Sequence, residues 1–113
     1  MDGIKWVFSP RYRQLVRAHE TRRMNNLVRH KDLTRPIVLK TQQHMAGGEL
    51  TYHGVKASRR GNTLELTPGA LVTSRGVGVE MQEQGFRTFP SQGMAFLKDA
   101  IRVPVRKIVS VSQ

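Results

Sequence analysis

The sharpest alternation along the chain is TLELTPG, where Leu64 and Leu66 alternate with Thr63, Glu65 and Thr67. A period of two predicts a half-buried strand with both leucines on the buried face. RRGN (59–62) before it and Pro68-Gly69 after it are turn signals that bracket this strand. ALVTS (70–74) starts another strand, and ELTYHGVKAS (49–58) is β-prone with a glycine at Gly54. VPVRKIVSVS (103–112) reads as a closing strand with Val103, Val105, Lys107, Val109 and Val111 at alternate positions. Pro104 lacks an N–H for the ladder, so it marks an edge or a strand start.

Helical spacing dominates the first third. Ser9 and Pro10 form a helix start, as N-cap and first helical residue. RYRQLVRAHETRRMNNLVRHKDL then places Leu15, Val16, His19, Arg23, Leu27 and Val28 near helical spacing. The apolar stripe is thin and arginines coat the rest, while Trp6 or Phe8 packs back over the first turn as a staple. Asp32 and Thr34 are further cap candidates. PIVLKTQQHMAGG (36–48) reads as a second helix with Ile37, Val38, Thr41 and Met45 inward, ended by Gly47-Gly48. One long kinked helix across both segments reads equally well. QGMAFLKDAI (92–101) reads as a short helix with Met94, Leu97, Ala100 and Ile101 on one side. The order predicts an α+β fold: N-terminal helical segments on a small antiparallel sheet, then a short C-terminal helix and a final strand. With 113 residues this is one domain, with a basic helical part over 1–46 and a sheet with its short helix over 49–113.

Charge changes the picture most. The chain carries 19 Lys+Arg against 8 Asp+Glu, a net charge of +11, and ten of those cations fall in residues 1–40. A positive field of this strength points to a polyanionic partner, nucleic acid first. NNLVRHKD (25–32) is no helix-turn-helix, and the aromatics are not spaced for base stacking. Contact is therefore expected through phosphate charge and not base readout. The basic residues singled out for DNA or an acidic partner are Arg17, Arg22, Arg23, Arg59 and Arg60. The absence of cysteine excludes a disulfide scaffold, a thiol nucleophile and a cysteine-ligated metal. No apolar run approaches the ~18 residues of a membrane span, and no signal peptide is visible.

Catalytic chemistry finds little footing. His19, His30, His44 and His53 show no metal-ligand spacing. RGVGVE (75–80) fails the dinucleotide fingerprint, because Met81 stands where the third glycine belongs; Gly76 and Gly78 read as a bend or a close backbone approach. No serine lies in a nucleophile elbow. Glu80 and Glu83 have no further carboxylate nearby in sequence and read as a pair that binds a basic neighbour. No catalytic residue, cofactor or metal is expected. One enzymatic alternative is a metal-free ribonuclease toxin, for which Tyr12, Tyr52, His53 and Arg87 supply the residue types without a supporting spacing.

VLKTQQHMAGGELTYHGVKAS (38–58) and GVEMQEQGFRTFPSQGMAFLKDAI (78–101) together resemble the tail-completion and head–tail connector proteins of long-tailed double-stranded-DNA bacteriophages. The pattern is a helix ending in glycine before a first strand, then a glutamate-plus-glycine element, a proline-containing loop and a short helix. It departs from the family at Val77, Gly78 and Val79, where aromatics usually precede the glutamate. The resemblance implies a structural virion protein, assembled in the host cytoplasm, whose subunits form a six-fold ring at the neck. The ring would cap the tail, bind neighbouring connector and tail-tube proteins, and pass phage DNA through its lumen, with no membrane involved. Glu80, Glu83, Phe86 and Phe89 would then lie between subunits, the glutamates against the arginine-rich helix of the next. The alternative partner class is nucleic acid bound by a basic protein of ribosomal or nucleoid type.

Overall fold

The computed structural model describes residues 10–42, 48–76 and 92–113. These form an α+β fold that is mostly β. Helix α1 spans Pro10–Leu27. Strands follow as β1 (Ile37–Gln42), β2 (Glu49–Val55), β3 (Ala57–Arg60), β4 (Thr63–Leu66), β5 (Leu71–Arg75), β6 (Gln92–Phe96), β7 (Ile101–Pro104) and β8 (Ile108–Ser112), with a 3-10 turn at Val105–Lys107. They build two antiparallel sheets: a five-stranded one in the order β6-β5-β2-β1-β8, and a three-stranded one in the order β3-β4-β7.

Two stretches of chain run through both sheets. β2 passes into β3 across Lys56 alone, and β7 passes into β8 across the 3-10 turn. Strands that switch sheets at a bend are how packed sheets make corners. The first corner is tied down by Thr67, whose N–H and hydroxyl both donate to the Lys56 carbonyl, at 3.0 and 3.1 Å. The second is tied by the Val105 N–H, which donates to the Asn62 carbonyl at 2.8 Å. Between the sheets lies one core: Leu39, Leu50, Tyr52, Val55 and Val72 from the larger, Ala57, Leu64, Leu66 and Val103 from the smaller, and Met24 from α1.

β4 is the strand that the alternation predicts, with Leu64 and Leu66 both fully buried. The RRGN turn closes the β3–β4 hairpin through Gly61 and Asn62. Gly61 has φ 58 and stands at the first central position, where a two-residue hairpin of the glycine-first kind needs a left-handed residue. β5 also falls where expected and Pro10 is helical, while the expected cap Ser9 and the staple residues Trp6 and Phe8 lie outside the described residues.

Three predicted elements are corrected. Residues 37–42 are a strand, not a second helix or the continuation of a kinked one, so the helical part does not extend to residue 46. The burial alternates without exception: Ile37, Leu39 and Thr41 face inward, while Val38, Lys40 and Gln42 face out. Ile, Val and Thr fill half of this short segment, and pairing to β2 and β8 on either side makes it a central strand. β-branched side chains pack well there and lose rotamer freedom in a helix. Residues 92–96 are also a strand, paired to β5, and the expected helical face dissolves. Met94 and Ala100 are exposed, Leu97 is buried, and Ile101 opens β7. Segments 38–42 and 92–96, which carry the family resemblance as helices, are thus both strands. Finally, the closing strand is two strands. The 3-10 turn shifts the alternation, so Val103, Val105, Ile108 and Val111 are buried while Val109 is exposed and Lys107 leaves the ladder. Pro104 ends β7 on an edge of the smaller sheet, in keeping with its missing N–H.

Helix α1 is attached by its C-terminal half. Met24 is its single fully buried residue, and Leu27 and Val28 pack on the core, while Leu15 and Val16 are exposed. The helix stops where His30 takes φ 61, a left-handed conformation usual after a helix end and tolerated by histidine. Asp32 then organises a turn and not a helix start: its carboxylate accepts from the Thr34 N–H at 3.0 Å and the Thr34 hydroxyl at 2.6 Å. Gln113 clasps the same turn, its side chain accepting from the Asp32 N–H at 2.9 Å and donating to the Asp32 carbonyl at 2.6 Å.

Candidate polyanion interface

Three elements meet around the C-terminal half of α1. The helix packs against the 3-10 turn, and the Arg23 guanidinium donates to the Ile108 carbonyl at 2.7 Å. The β3–β4 turn joins them: Asn62 accepts at its carbonyl from Val105 and donates from its side chain to the Arg17 carbonyl at 3.5 Å. In the same turn, Arg59 donates from Nε to the Gly61 carbonyl at 2.8 Å, which folds its guanidinium back over the hairpin end.

The segments that meet here carry six cations: Arg17, Arg22 and Arg23 on α1, Arg59 on β3, and Arg106 and Lys107 on the 3-10 turn. Arg22 and Arg23 line a surface groove of about 350 Å³ with His19, Asn26 and Leu27. The single acid on α1, Glu20, is half-buried, and the ion pairs among the described residues all belong to Glu65. Among the described residues, no ion pair engages any of these six cations. Chemically, such a face offers charge and N–H donors to an oxyanion, in a geometry open to an extended phosphate chain.

Four of the five arginines singled out in the sequence belong to this face. The fifth, Arg60, does not. It sits on the outer side of the smaller sheet, 4.0 Å from Glu65, which also takes Arg102 at 3.4 Å. The strand period explains the parting: successive residues of β3 point to opposite faces, so Arg59 and Arg60 are separated by the sheet. Arg106 and Lys107 were missed because an unbroken strand puts Lys107 among the valines. The adjacent pair Arg-Lys between two valine pairs was the available signal for a break there.

The histidines scatter. His19 lines the groove, His30 shapes the helix end, and His53 bonds Thr73 Oγ1 at 2.8 Å on the outer face of the larger sheet. His44 lies outside the described residues. No group of three metal-ligating side chains occurs among the described residues. The ribonuclease residue set is not brought together. Tyr52 is buried in the core and His53, next in the strand, is exposed on the opposite face; Arg87 lies outside the described residues. Glu80, Glu83, Phe86 and Phe89, expected between subunits, and Gly78 also lie outside them. Gly76 follows β5 with φ 73, which fits the expected bend; a side chain there would meet the Gly48 backbone only at ordinary contact distance, 3.5 Å, so no close backbone approach requires the glycine. No helix among the described residues is long and apolar enough to cross a membrane. The chain matches no protein-family model, no curated protein and no solved structure.

Proposed function

We propose that this protein is a binding module without catalytic chemistry that holds nucleic acid by its phosphate backbone. The observation that carries this reading is the meeting of three separated segments that between them carry six Lys and Arg residues, while Glu65 is held elsewhere by Arg60 and Arg102. A merely solubilising charge would have no need of such gathering. Contacts of this kind are sequence-independent and salt-sensitive. Binding of duplexes of unrelated sequence should therefore be equal at a given salt and fall steeply as salt rises. Affinity that differs strongly between sequences, or that ignores salt, refutes the reading.

A second reading, the ring subunit at a phage neck, is favoured by a different observation. Leu15 and Val16 on α1, and Met94 and Phe96 on β6, leave apolar side chains exposed on two separate elements. A ring needs two different surfaces of one subunit to meet head to tail. In that setting the basic face would line the lumen or meet an acidic neighbour. A discrete ring in light scattering at assembly concentrations supports it; a largest species of one or two chains, with or without DNA, counts against it.

A further inference from the structure

Among the described residues, the two sheets end in four edge strands, and three are guarded. β3 carries Arg59 and Arg60, and β7 carries Arg102 and Pro104. Charge and proline on an edge are the usual means of preventing strand addition. β8 has neither, but the Arg23 guanidinium occupies the carbonyl of its first residue, Ile108. The Gln113–Asp32 clasp closes the chain just past its end. The fourth edge, β6, has the sequence QGMAF, with no charge, no proline and no such clasp among the described residues. Met94 and Phe96 stand on its outward face, 65% and 66% exposed.

The backbone on this edge is aimed outward. Leu97 exchanges bonds with the β5 side, its N–H donating to Ala70 and its carbonyl accepting from Gly69, each at 2.8 Å. Alternation along an antiparallel strand then turns residues 93 and 95 toward β5 and directs the N–H and C=O of Met94 and Phe96 to the side away from β5, where no described strand lies.

We propose that β6 is a homodimerisation edge, pairing antiparallel with β6 of a second copy about a two-fold axis through Met94. This register sets Met94 opposite Met94 and Phe96 opposite residue 92, and it joins the larger sheets into one of ten strands. The outward residues of each copy exchange bonds, and both methionines and both phenylalanines share one face. Sheet topology selects this occupant. Five alternating strands leave β6 and β8 running in the same direction, so continuing the sheet head to tail requires a parallel pair with the guarded β8. A two-fold pair of β6 is antiparallel, the more stable arrangement.

Charge selects a second copy as well. The basic face gathers at the β8 side, four strand spacings or about 19 Å from β6. In the dimer, the two β8 strands stand nine spacings apart, about 43 Å along the sheet. That is several times the ~8 Å screening length in physiological salt. β6 itself carries no charge, and the nearest described cations are Arg75 on β5 and Lys98 beyond its end. One five-residue pair buries less than the roughly 1,200 Å² of a stable complex, so the dimer is reversible and depends on concentration.

The absence of cysteine makes a clean probe. Met94→Cys places its only thiol on the axis, where opposed Cα atoms of a bonded pair lie about 5.5 Å apart, within disulfide range. Mild oxidation should convert this variant, but not Val109→Cys on β8, into a covalent dimer. In sedimentation equilibrium the unmodified chain should move from one toward two masses with concentration. Met94→Pro, which removes an outward N–H and no bond to β5, should stay at one mass with an unchanged circular dichroism spectrum. An unmodified chain that remains at one mass at every concentration overturns the proposal. So do equal cross-linking at 94 and 109, and larger assemblies that Met94→Pro leaves intact. None of these outcomes bears on nucleic-acid binding, which is read separately.

Discussion

Removing Arg22, Arg106 and Lys107 together, each to alanine, tests whether the basic face acts as a face. Six cations lie on the segments that meet there, three on α1, one on β3 and two on the 3-10 turn. If each neutralises one phosphate, the slope of log affinity against log salt is about −5.4, from about −0.9 per contact on duplex DNA. Between 50 and 200 mM salt that slope weakens binding about 2,000-fold. The triple variant retains three contacts, a slope of about −2.7 and a loss of about 40-fold over the same interval. Arg22 and Arg106 are exposed, Lys107 is half-buried, and Arg23, which bonds the Ile108 carbonyl, is kept, so the fold should survive. The assay is fluorescence anisotropy of a labelled duplex titrated at several salt concentrations, repeated with a scrambled duplex. The matched control is Arg60→Ala with Arg102→Ala and Lys98→Ala, which removes the same charge from outside the face. The control should keep the steep slope. Equal flattening in both triple variants would show that net charge acts as a diffuse field, and the assignment of a face would fail.

Leu64 is fully buried in β4, so Leu64→Ala should destabilise by about 2–5 kcal/mol in urea unfolding, and Leu64→Asp should yield no folded protein; a cooperative, native-like Leu64→Asp would place the strand face wrongly. Gly61→Ala forces a side chain into φ 58 and should cost about 1–2 kcal/mol, whereas Asn62→Ala at the next position should not pay this backbone strain. The two hydrogen bonds from Thr34, side chain then backbone, with help from the Arg35 charge, hold the Asp32 carboxyl below its ordinary value. A depressed carboxyl contributes to folding above its unfolded-state pKa, and that contribution is lost as pH falls through the lower folded-state value. Thr34→Val should move the Asp32 titration, followed by carboxyl NMR, upward toward the ordinary value; no movement would mean that the hydroxyl bond is not the cause.

What was legible in the sequence follows from how locally each element is determined. Leu64 and Leu66 need only their own alternation and two flanking turns, so β4 and its hairpin could be read directly. Residues 37–42 carry an alternation too, but Ile37, Val38 and Thr41 also satisfy a helical grouping. Only the partners on both sides, β2 and β8, decide between them. The same holds for β6, whose neighbour β5 lies seventeen or more residues earlier in the chain. The break at Val105–Lys107 is a corner between sheets, a tertiary feature with little local trace. The site was half legible: the arginines of α1 stood out by density. Which of Arg59 and Arg60 joins them depends on the face of a strand, and the contribution of Arg106 and Lys107 depends on a turn that packs on the helix.

The same structure explains why so basic a chain keeps an 18-residue helix of which only the C-terminal half contributes to the core. Met24, Leu27 and Val28 fix the C-terminal half, where Arg22 and Arg23 belong to the gathered face. The preceding two to three turns carry Arg11, Arg13 and Arg17 away from the core. At 1.5 Å per residue the helix spans about 27 Å, the rise of roughly eight base pairs of duplex. A helix buried along its whole length would spend those positions on apolar packing and shorten the reach of the face. Partial anchoring instead gives a rigid, charged extension from a core that does not depend on it. Shortening the chain before Arg17 should therefore remove only the contacts that Arg11 and Arg13 add to those of the six cations, about 0.9 of slope each, while leaving the unfolding transition nearly unchanged, since residues 10–16 bury none of the core. A large loss of stability on that truncation would show that the exposed half of α1 supports the fold and is not there for reach.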